Sequence, residues 1–367
     1  MKRFFLGLAA NYNKEDRRAQ LFSVGRKEDY TDLEQFLKRK YIGQKAVLTK
    51  NGRSALTLAL KAYFNQGDKI LVNGFTCFAV YEAVKAAKLE PVFADIELNN
   101  LNFSEKTVLK SLIPDIKGII IQNTLGNPID IEKIEKIAKE NNLTIIEDLA
   151  HCAGIKYSDG REAGTIGAAT ILSFGKEKAI DTVSGGAVVF RDDYQNEINL
   201  PTKSPRFSDY LRSRFYPTFG AICRNLTHVH LGGFLMKALI KIHWVEKSAD
   251  SKLDLSRKPS KFEARRALIQ IKSLSKTGEK PLRDFYYVNN RGEVLNKLKK
   301  AGYYFDSFWY EKPISPIRYY SKTHFPEELC PNAVYAANHI INFPKYYKKP
   351  DLKKAQEIIK DYLETKE

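Results

Sequence analysis

The chain has 367 residues, 43% of them hydrophobic and 28% charged, and a formal net charge of +17. Its length indicates more than one simple core, and no apolar run is long enough to span a bilayer, which excludes a transmembrane helix. The four cysteines form no C-x-x-C pair, so a disulfide framework is not expected and a reducing, cytoplasmic compartment is favoured. The positive charge favours anionic partners such as phosphates or acidic lipids, unless it serves solubility alone.

Residues 1–30 are predicted to form an N-terminal arm. The start "MKRFFLGLAA" places a short apolar stretch after Lys2 and Arg3, and the charged run "NKEDRR" follows almost at once. This stretch is at the lower limit for the apolar core of a signal peptide. We therefore interpret it as an arm or an edge strand, and export is the alternative.

Residues 31–200 alternate between helical and strand patterns and are predicted to form a large domain. Helical spacing of apolar residues occurs in "DLEQFLKRKY", "SALTLALKAYF" and "NPIDIEKIEKIAKENN". The strand candidates are short, nearly all-apolar runs that suit burial on both faces: "KILVN", "EPVFADI", "GIIIQNT", "LTIIED", "ATILSF" and "GGAVVF". Strand, helix and strand in this order predict an α/β fold with a mostly parallel central sheet and helices on both faces. Ligands of such sheets bind at the carboxyl ends of the strands.

The strand signals stop near residue 200. Residues 201–265 are basic, aromatic and helix-like, and three interpretations of this insertion stay open: a surface for an acidic membrane, a binding surface for a diphosphate, or a cover over a dimer interface. Residues 266–367 mix helices with the short strand candidates "YYFDSFWY" and "IINFP", which predicts a linking helix and a smaller C-terminal α+β domain. His228 and His230 have no further ligands nearby in the sequence, so no metal site is predicted.

A candidate anion site lies in "NGRSALTLAL", where a helix begins. The free N–H groups at Gly52, Arg53 and Ser54 are suited to bind a phosphate, and glycine permits close approach. The alternative interpretation is a plain N-cap by Asn51 or Ser54.

Two further loops carry candidate chemistry. In "IIEDLAHCAG" the carboxylate of Asp148 follows a buried strand and His151 lies shortly after it, an arrangement that suits a ligand or, alternatively, a helix N-cap with a core histidine. In "ILSFGKEKAIDTVSGG" Ser173 ends a strand and Lys178 follows. A lysine beside an apolar wall favours the neutral, nucleophilic amine, although a solvated turn lysine is the more common case. An anion site, a carboxylate and a lysine in this order are what pyridoxal 5'-phosphate needs.

The sequence resembles the DegT/DnrJ/EryC1/StrS aminotransferases, which are pyridoxal-phosphate enzymes of fold type I. The resemblance covers roughly residues 31–195 and rests on "NGRSALTLAL", "GDKILVNGFTCFAVYEAVKAAKLEPVFADI", "GNPIDIEKIEKIAKENNLTIIEDLAHCAG" and "SFGKEKAIDTVSGG". It implies that Lys178, rather than Lys176, holds the cofactor aldehyde and that Asp148 pairs with the pyridine nitrogen. It also places His151 near the ring hydroxyl and assigns the phosphate to Gly52, Arg53, Ser54 and Ser173.

The sequence departs from the family pattern at several positions. Cys77 stands where the family usually has an aromatic ring that stacks on the cofactor, and Phe78 beside it is the alternative stacking residue. Arg53 replaces a frequent Thr or Ser and would add a charge to the phosphate site. Ala179, Val183 and Ser184 differ from the usual substrate-facing residues. The cofactor site is thus better supported than the substrate.

The resemblance implies a cytoplasmic aminotransferase that transfers an amino group from glutamate to a nucleotide-linked keto-sugar for a polysaccharide or related glycan, and that works as a homodimer. Lys178 argues against the branch of the family that carries histidine there and acts as a dehydratase. The alternatives are a pyridoxal-phosphate enzyme for a non-sugar carbonyl and a non-catalytic regulatory or membrane-surface relative. Nucleic-acid binding is not predicted, because no recognised module is present. Peripheral membrane contact through the basic insertion stays open.

Overall fold

The computed structural model describes residues 4–227, 231–245, 251–277, 282–305, 309–345 and 349–363. The strands and helices within them are, in chain order, β1 (Phe4–Leu6), α1 (Lys14–Phe22), α2 (Glu28–Lys40), β2 (Lys45–Thr49), α3 (Gly52–Tyr63), β3 (Lys69–Asn73), β4 (Thr76–Cys77), α4 (Phe78–Ala86), β5 (Glu90–Ala94), α5 (Glu105–Ser111), β6 (Ile116–Ile121), α6 (Ile131–Glu140), β7 (Thr144–Asp148), β8 (Ala169–Ser173), β9 (Gly186–Phe190), α7 (Phe207–Leu226), α8 (Gly232–Lys241), α9 (Lys261–Thr277), β10 (Arg283–Tyr287), α10 (Arg291–Lys300), β11 (Tyr303–Phe305), β12 (Ile314–Ser315), α11 (Ile317–Tyr320), α12 (Pro331–His339), β13 (Ile340–Pro344) and α13 (Lys349–Lys360).

A seven-stranded sheet in the order β2-β9-β8-β7-β6-β3-β5 forms the centre of the fold. Strands β5, β3, β6, β7 and β8 run parallel to one another, whereas β9 is antiparallel to both β8 and β2. Each of the six predicted apolar runs overlaps one strand of this sheet, which confirms the mostly parallel α/β architecture. The edge strand β2 was not predicted, because "KAVLT" begins with an exposed lysine and lacks a continuous apolar run.

Both faces of the sheet are covered. Ile70 and Val72 belong to the apolar cluster that contains the buried residues of α3, whereas Leu71 between them belongs to the cluster formed with α2 and α6. Successive side chains of a strand point to opposite faces, so a run with no polar residue requires a layer on each side. None of the helices in the ranges given above combines the length and apolar content needed to cross a membrane.

The start of α3 packs closely against the turn before β9. Gly185 has a φ of +110°, a backbone conformation that glycine adopts without strain, and it bridges to Asn51. A Cβ atom at Gly186 would lie 2.6 Å from the backbone carbonyl carbon of Asn51, closer than any side chain permits. The glycine pair therefore lets the amino end of α3 lie beside the carboxyl ends of β7 and β8.

The N-terminal strand and the C-terminal part of the chain pack together. β1 pairs in parallel with β11, and β10 pairs with β13 in antiparallel register. A separate apolar cluster joins β13 to α10 and α13, with Val294, Leu298, Ile341 and Phe343 among its buried residues. β12 pairs with β4, which brings the chain that follows Trp309 back to the end of the large sheet.

Candidate active site

A cavity opens where the carboxyl ends of β7 and β8 meet the amino end of α3, as expected for a parallel sheet. Loops that follow β2, β4, β7 and β8 contribute to its lining, together with α7. The sequence-predicted residues in the lining are Gly52, Arg53, Cys77, Asp148, His151, Ser173 and Lys178. Residues far apart in the sequence are thus brought together in one cavity.

Lys178 and His151 form the centre of this site. Nζ of Lys178 lies 2.9 Å from Nε2 of His151. The backbone N–H of Leu125 donates to Nδ1 of the same ring over 3.2 Å, so Nδ1 is the acceptor nitrogen. The hydrogen-bond pattern therefore assigns the proton of the neutral imidazole to Nε2, which donates to the lysine amine.

Burial sets the charge state of these groups. Desolvation lowers the pKa of Lys178, and the positive charge of Arg283 acts in the same direction. Desolvation also holds the pKa of His151 well below its usual range, with Lys178 and Arg283 as further causes. Both shifts favour the neutral forms, which agrees with a hydrogen bond from the imidazole to an uncharged amine.

The adjacent carboxylates Glu147 and Asp148 have different surroundings because successive residues of β7 face opposite sides of the sheet. Glu147 is fully buried and accepts hydrogen bonds from the hydroxyl of Tyr157 and from the backbone N–H groups of Gly164, Ile166 and Gly167. Asp148 faces the cavity and accepts from the N–H of Ala150. Burial raises the pKa of Asp148, and the Ala150 N–H and Lys178 oppose that shift.

The predicted phosphate residues surround the start of α3, but their side chains have partners of their own. Asn51 caps the helix by accepting from the N–H of Ser54. The guanidinium of Arg53 pairs with Glu82 and donates to the carbonyl of Ser251. The hydroxyl of Ser54 donates to the carbonyl of Asp254, and Ser54 lies outside the cavity lining. The positive charge of Arg53 therefore lies at the cavity and is paired with the carboxylate of Glu82.

Of the two candidate stacking residues, the structure brings one to the cavity. Cys77 lines it, whereas the ring of Phe78 lies outside and stacks on Tyr319 with centroids 4.5 Å apart. The large ring next to the catalytic candidates is Trp309, whose centroid lies 5.0 Å from that of His151 and 4.6 Å from Nζ of Lys178.

Comparison with known proteins places this geometry in a family. The family model of the DegT/DnrJ/EryC1/StrS aminotransferase family matches residues 12–208, which is more than half of the chain. The chain belongs to this family. A GDP-perosamine synthase of Escherichia coli O157:H7 is 35% identical over 150 residues, 41% of each chain, and a pleiotropic regulatory protein of Geobacillus stearothermophilus is 33% identical over 144 residues, 39% of this chain and 38% of the other. These alignments therefore span about two-fifths of each relative.

The solved structures extend the likeness of fold to the whole chain. S. venezuelae DesV, solved in complex with a ketimine intermediate, covers 100% of both chains with a TM-score of 0.70 at 18% identity. The likeness of fold therefore includes the part of this chain beyond residue 208, where the family model does not match.

Several site residues of this family member escape sequence reasoning. Trp309, Tyr310 and Arg283 reach the site from the C-terminal part of the chain, more than a hundred residues after Lys178. Asp181 carries no sequence signal, yet it is buried and accepts from Tyr12, Asn11 and the N–H groups of Glu177 and Val183. No local motif marks these residues, because their roles arise from tertiary contacts.

The basic segment of residues 201–265 contributes one wall of the cavity through α7. Asp209, Arg212 and Tyr216 of α7 line it, and Asp209 pairs with Arg212 and with Lys50, each over 3.3 Å. Lys176 lies with Nζ 4.1 Å from the ring centroid of Tyr216, turned to α7. His228 and His230 lie outside the described residues, and the described ones contain no cluster of three or more His, Cys, Asp and Glu suited to a metal ion.

Proposed function

We propose that the chain is a pyridoxal-phosphate-dependent aminotransferase that moves an amino group from glutamate to a nucleotide-linked keto-sugar in glycan biosynthesis. The observation that carries this proposal is the contact of Lys178 with His151 over 2.9 Å, in a cavity shared with Asp148 and the start of α3. Family membership and the relative named GDP-perosamine synthase support it.

The donor set around the cavity fits pyridoxal phosphate. The buried carboxylate of Asp148 suits a protonated ring nitrogen, and the Lys178 amine suits an aldehyde. The amino end of α3 and the hydroxyl of Ser173 suit the phosphate, with His151 beside the ring. When bound, the cofactor supplies an electron-accepting ring that stabilises negative charge on the carbon that loses a proton.

The chain's own residues then move the protons. The neutral Nζ of Lys178 takes a proton from the α-carbon of glutamate and later returns one to the aminated carbon of the sugar. The Nε2–H of His151 directs the lone pair of that amine and limits its protonation. Asp148 would hold a protonated ring nitrogen of the cofactor, and that positive charge would offset the cost of burying the carboxylate, which raises its pKa.

The cavity wall supports an anionic substrate. Lys50, Lys176 and Arg212 line it on the side of α7, and each presents a cation that suits a diphosphate. Their acidic neighbour is Asp209. A nucleotide diphosphate bound here would replace Asp209 as the ion-pair partner of Lys50 and Arg212.

We further infer a homodimer, as the family resemblance implies, in the reducing, cytoplasmic compartment that the cysteine usage favours. Phe207 is exposed on α7, Leu231 and Phe234 are exposed at the start of α8, and α8 also carries Lys237 and Lys241, a composition that suits a subunit interface or contact with an acidic membrane. Light scattering of the purified protein distinguishes a dimer from a monomer. Flotation with acidic liposomes at low salt tests the membrane contact, and absence of binding would end that idea.

Two alternatives remain to be separated by experiment. The relative named pleiotropic regulatory protein favours a regulatory role as the second candidate, and a non-sugar carbonyl is the other possible acceptor. A regulatory protein has no need for a buried neutral lysine paired with a histidine, which is why the enzyme is the first proposal. A screen of nucleotide keto-sugars with glutamate identifies the acceptor.

Covalent capture of the cofactor tests the proposal. After addition of pyridoxal phosphate, the protein is expected to turn yellow, and borohydride is expected to fix the cofactor on Lys178, as read by peptide mass. Lys178→Ala should abolish the adduct. Lys176→Ala is the matched control and should keep it, since that amine lies against Tyr216. A colourless wild type, or an adduct in Lys178→Ala, would overturn the assignment.

A further inference from the structure

Lys178 and His151 also line a second cavity, which lies between the N-terminal arm, α9 and the start of β10. Its cationic residues besides Lys178 are Arg266, Arg283 and Lys345. Arg266 pairs with Asp16 over 3.7 Å and Lys345 with Asp284 over 2.6 Å. Both therefore have a carboxylate partner outside the loop between β8 and β9 that carries Lys178, which we call the Lys178 loop. Arg283 is the cation whose carboxylate partner belongs to that loop.

Arg283 is almost completely buried, with 2% of its surface exposed. Its Nε donates to Oδ1 of Asn342 over 2.6 Å, across the β10–β13 pair. Its guanidinium carbon lies 4.7 Å from the ring centroid of Trp309, which in turn stacks on His151. A planar, preorganised guanidinium of this kind is suited to bind a carboxylate through two parallel N–H groups.

The partner of Arg283 is Glu177, the residue before Lys178. One carboxylate oxygen of Glu177 lies 3.5 Å from a terminal guanidinium nitrogen of Arg283. Glu177 has a φ of +61°, an unfavourable conformation for a side chain with a Cβ, and its N–H donates to Asp181. Such strain beside a catalytic candidate is typical of functional sites.

We propose that this second cavity binds a carboxylate of the amino donor, with Arg283 as the anchoring residue and Glu177 as the internal carboxylate that the donor replaces. The inference rests on the proposed aminotransferase function for the identity of the donor. Lys178 lines the cavity, so a dicarboxylic amino acid bound here would lie beside that residue. Displaced Glu177 keeps its backbone bond to Asp181, so the Lys178 loop stays in place.

Titration with glutarate tests this site, because glutarate has the two carboxylates of glutamate and no amino group to react. Calorimetry on the purified protein, with and without added pyridoxal phosphate and at constant ionic strength, should give saturable binding. Arg283→Met should weaken it at least about tenfold, the value of a lost charge-assisted hydrogen bond. Arg161→Met removes a surface arginine paired with Asp159 and is the matched control.

Glu177→Gln keeps the test decisive if Arg283→Met does not fold. It removes the competing internal charge and should tighten glutarate binding about threefold or more. No binding to the wild type, or binding that neither variant changes, would overturn the site. Glutarate binding that depends on Arg283 without a cofactor adduct on Lys178 would uphold the site and reject the aminotransferase. A cofactor adduct on Lys178, together with glutarate binding that neither Arg283→Met nor Glu177→Gln changes, would uphold the aminotransferase and reject the site.

Discussion

Nζ of Lys178 and Nε2 of His151 are 2.9 Å apart, although the two residues follow different strands, β8 and β7. The N–H of Leu125 occupies Nδ1 of the imidazole, so the histidine presents its N–H to the lysine. An ammonium group cannot accept that hydrogen, so this contact favours the neutral amine of Lys178. The fold prepares the nucleophile before any ligand arrives.

The pH dependence of cofactor capture follows from this contact. Only the deprotonated amine attacks an aldehyde, so the rate of adduct formation rises with pH through the pKa of Lys178. Burial lowers that pKa from the ordinary value of 10.5, and the half-maximal rate should accordingly fall below pH 10.5. Stopped-flow absorbance across a pH series measures it.

Two substitutions should move this midpoint in opposite directions. The charge of Arg283 lowers the pKa of Lys178, so Arg283→Met should raise the midpoint. The charge of Asp148 raises that pKa, so Asp148→Asn should lower the midpoint. Shifts of both variants in the same direction would contradict the electrostatic account of Lys178.

Substitution of Glu147 should mainly lower stability, whereas substitution of Asp148 should mainly lower activity. Glu147→Gln places an amide N–H₂ against backbone N–H groups that need an acceptor, at a cost of about 2–5 kcal/mol in the free energy of unfolding. Asp148→Asn should leave stability within about 1 kcal/mol, because it removes a buried charge, and should lower kcat about 100-fold or more. Urea unfolding and steady-state assays measure both. Equal losses of stability in the two variants would disprove the division of roles.

The sequence predicts the strands of the sheet because they are buried on both faces and need continuous apolar runs. It also predicts Asp148, His151 and Lys178, because the carboxyl ends of parallel strands meet at one edge of the sheet. It does not predict the β2 edge strand, because that strand begins with an exposed lysine and its apolar run is short. The residue pattern alone does not distinguish Glu147 from Asp148, since the face of a strand depends on the layers that pack against it; the family resemblance makes that assignment.

The failures of sequence reasoning at the site share one physical cause. Phe78 lies next to the predicted stacking position, yet α4 begins there and turns the ring to Tyr319. Trp309 and Arg283 come from strands and turns that pair elsewhere in the fold, and their distance from Lys178 along the chain carries no local signal. Pairing between remote segments, rather than propensity, decides which of these side chains reach the cavity.

The N-terminal arm should stabilise the Lys178 loop through Asp181. The hydroxyl of Tyr12 donates to Oδ1 of Asp181 over 2.6 Å in a buried contact, and Oδ2 accepts from the N–H of Glu177. Tyr12→Phe removes one charge-assisted hydrogen bond and should lower the free energy of unfolding by about 1.5–3 kcal/mol in urea. Tyr286→Phe is the control, because its hydroxyl accepts from Gln356 at the exposed surface, and it should cost less than about 0.5 kcal/mol. Equal stability of Tyr12→Phe and wild type would show that the arm does not hold the loop.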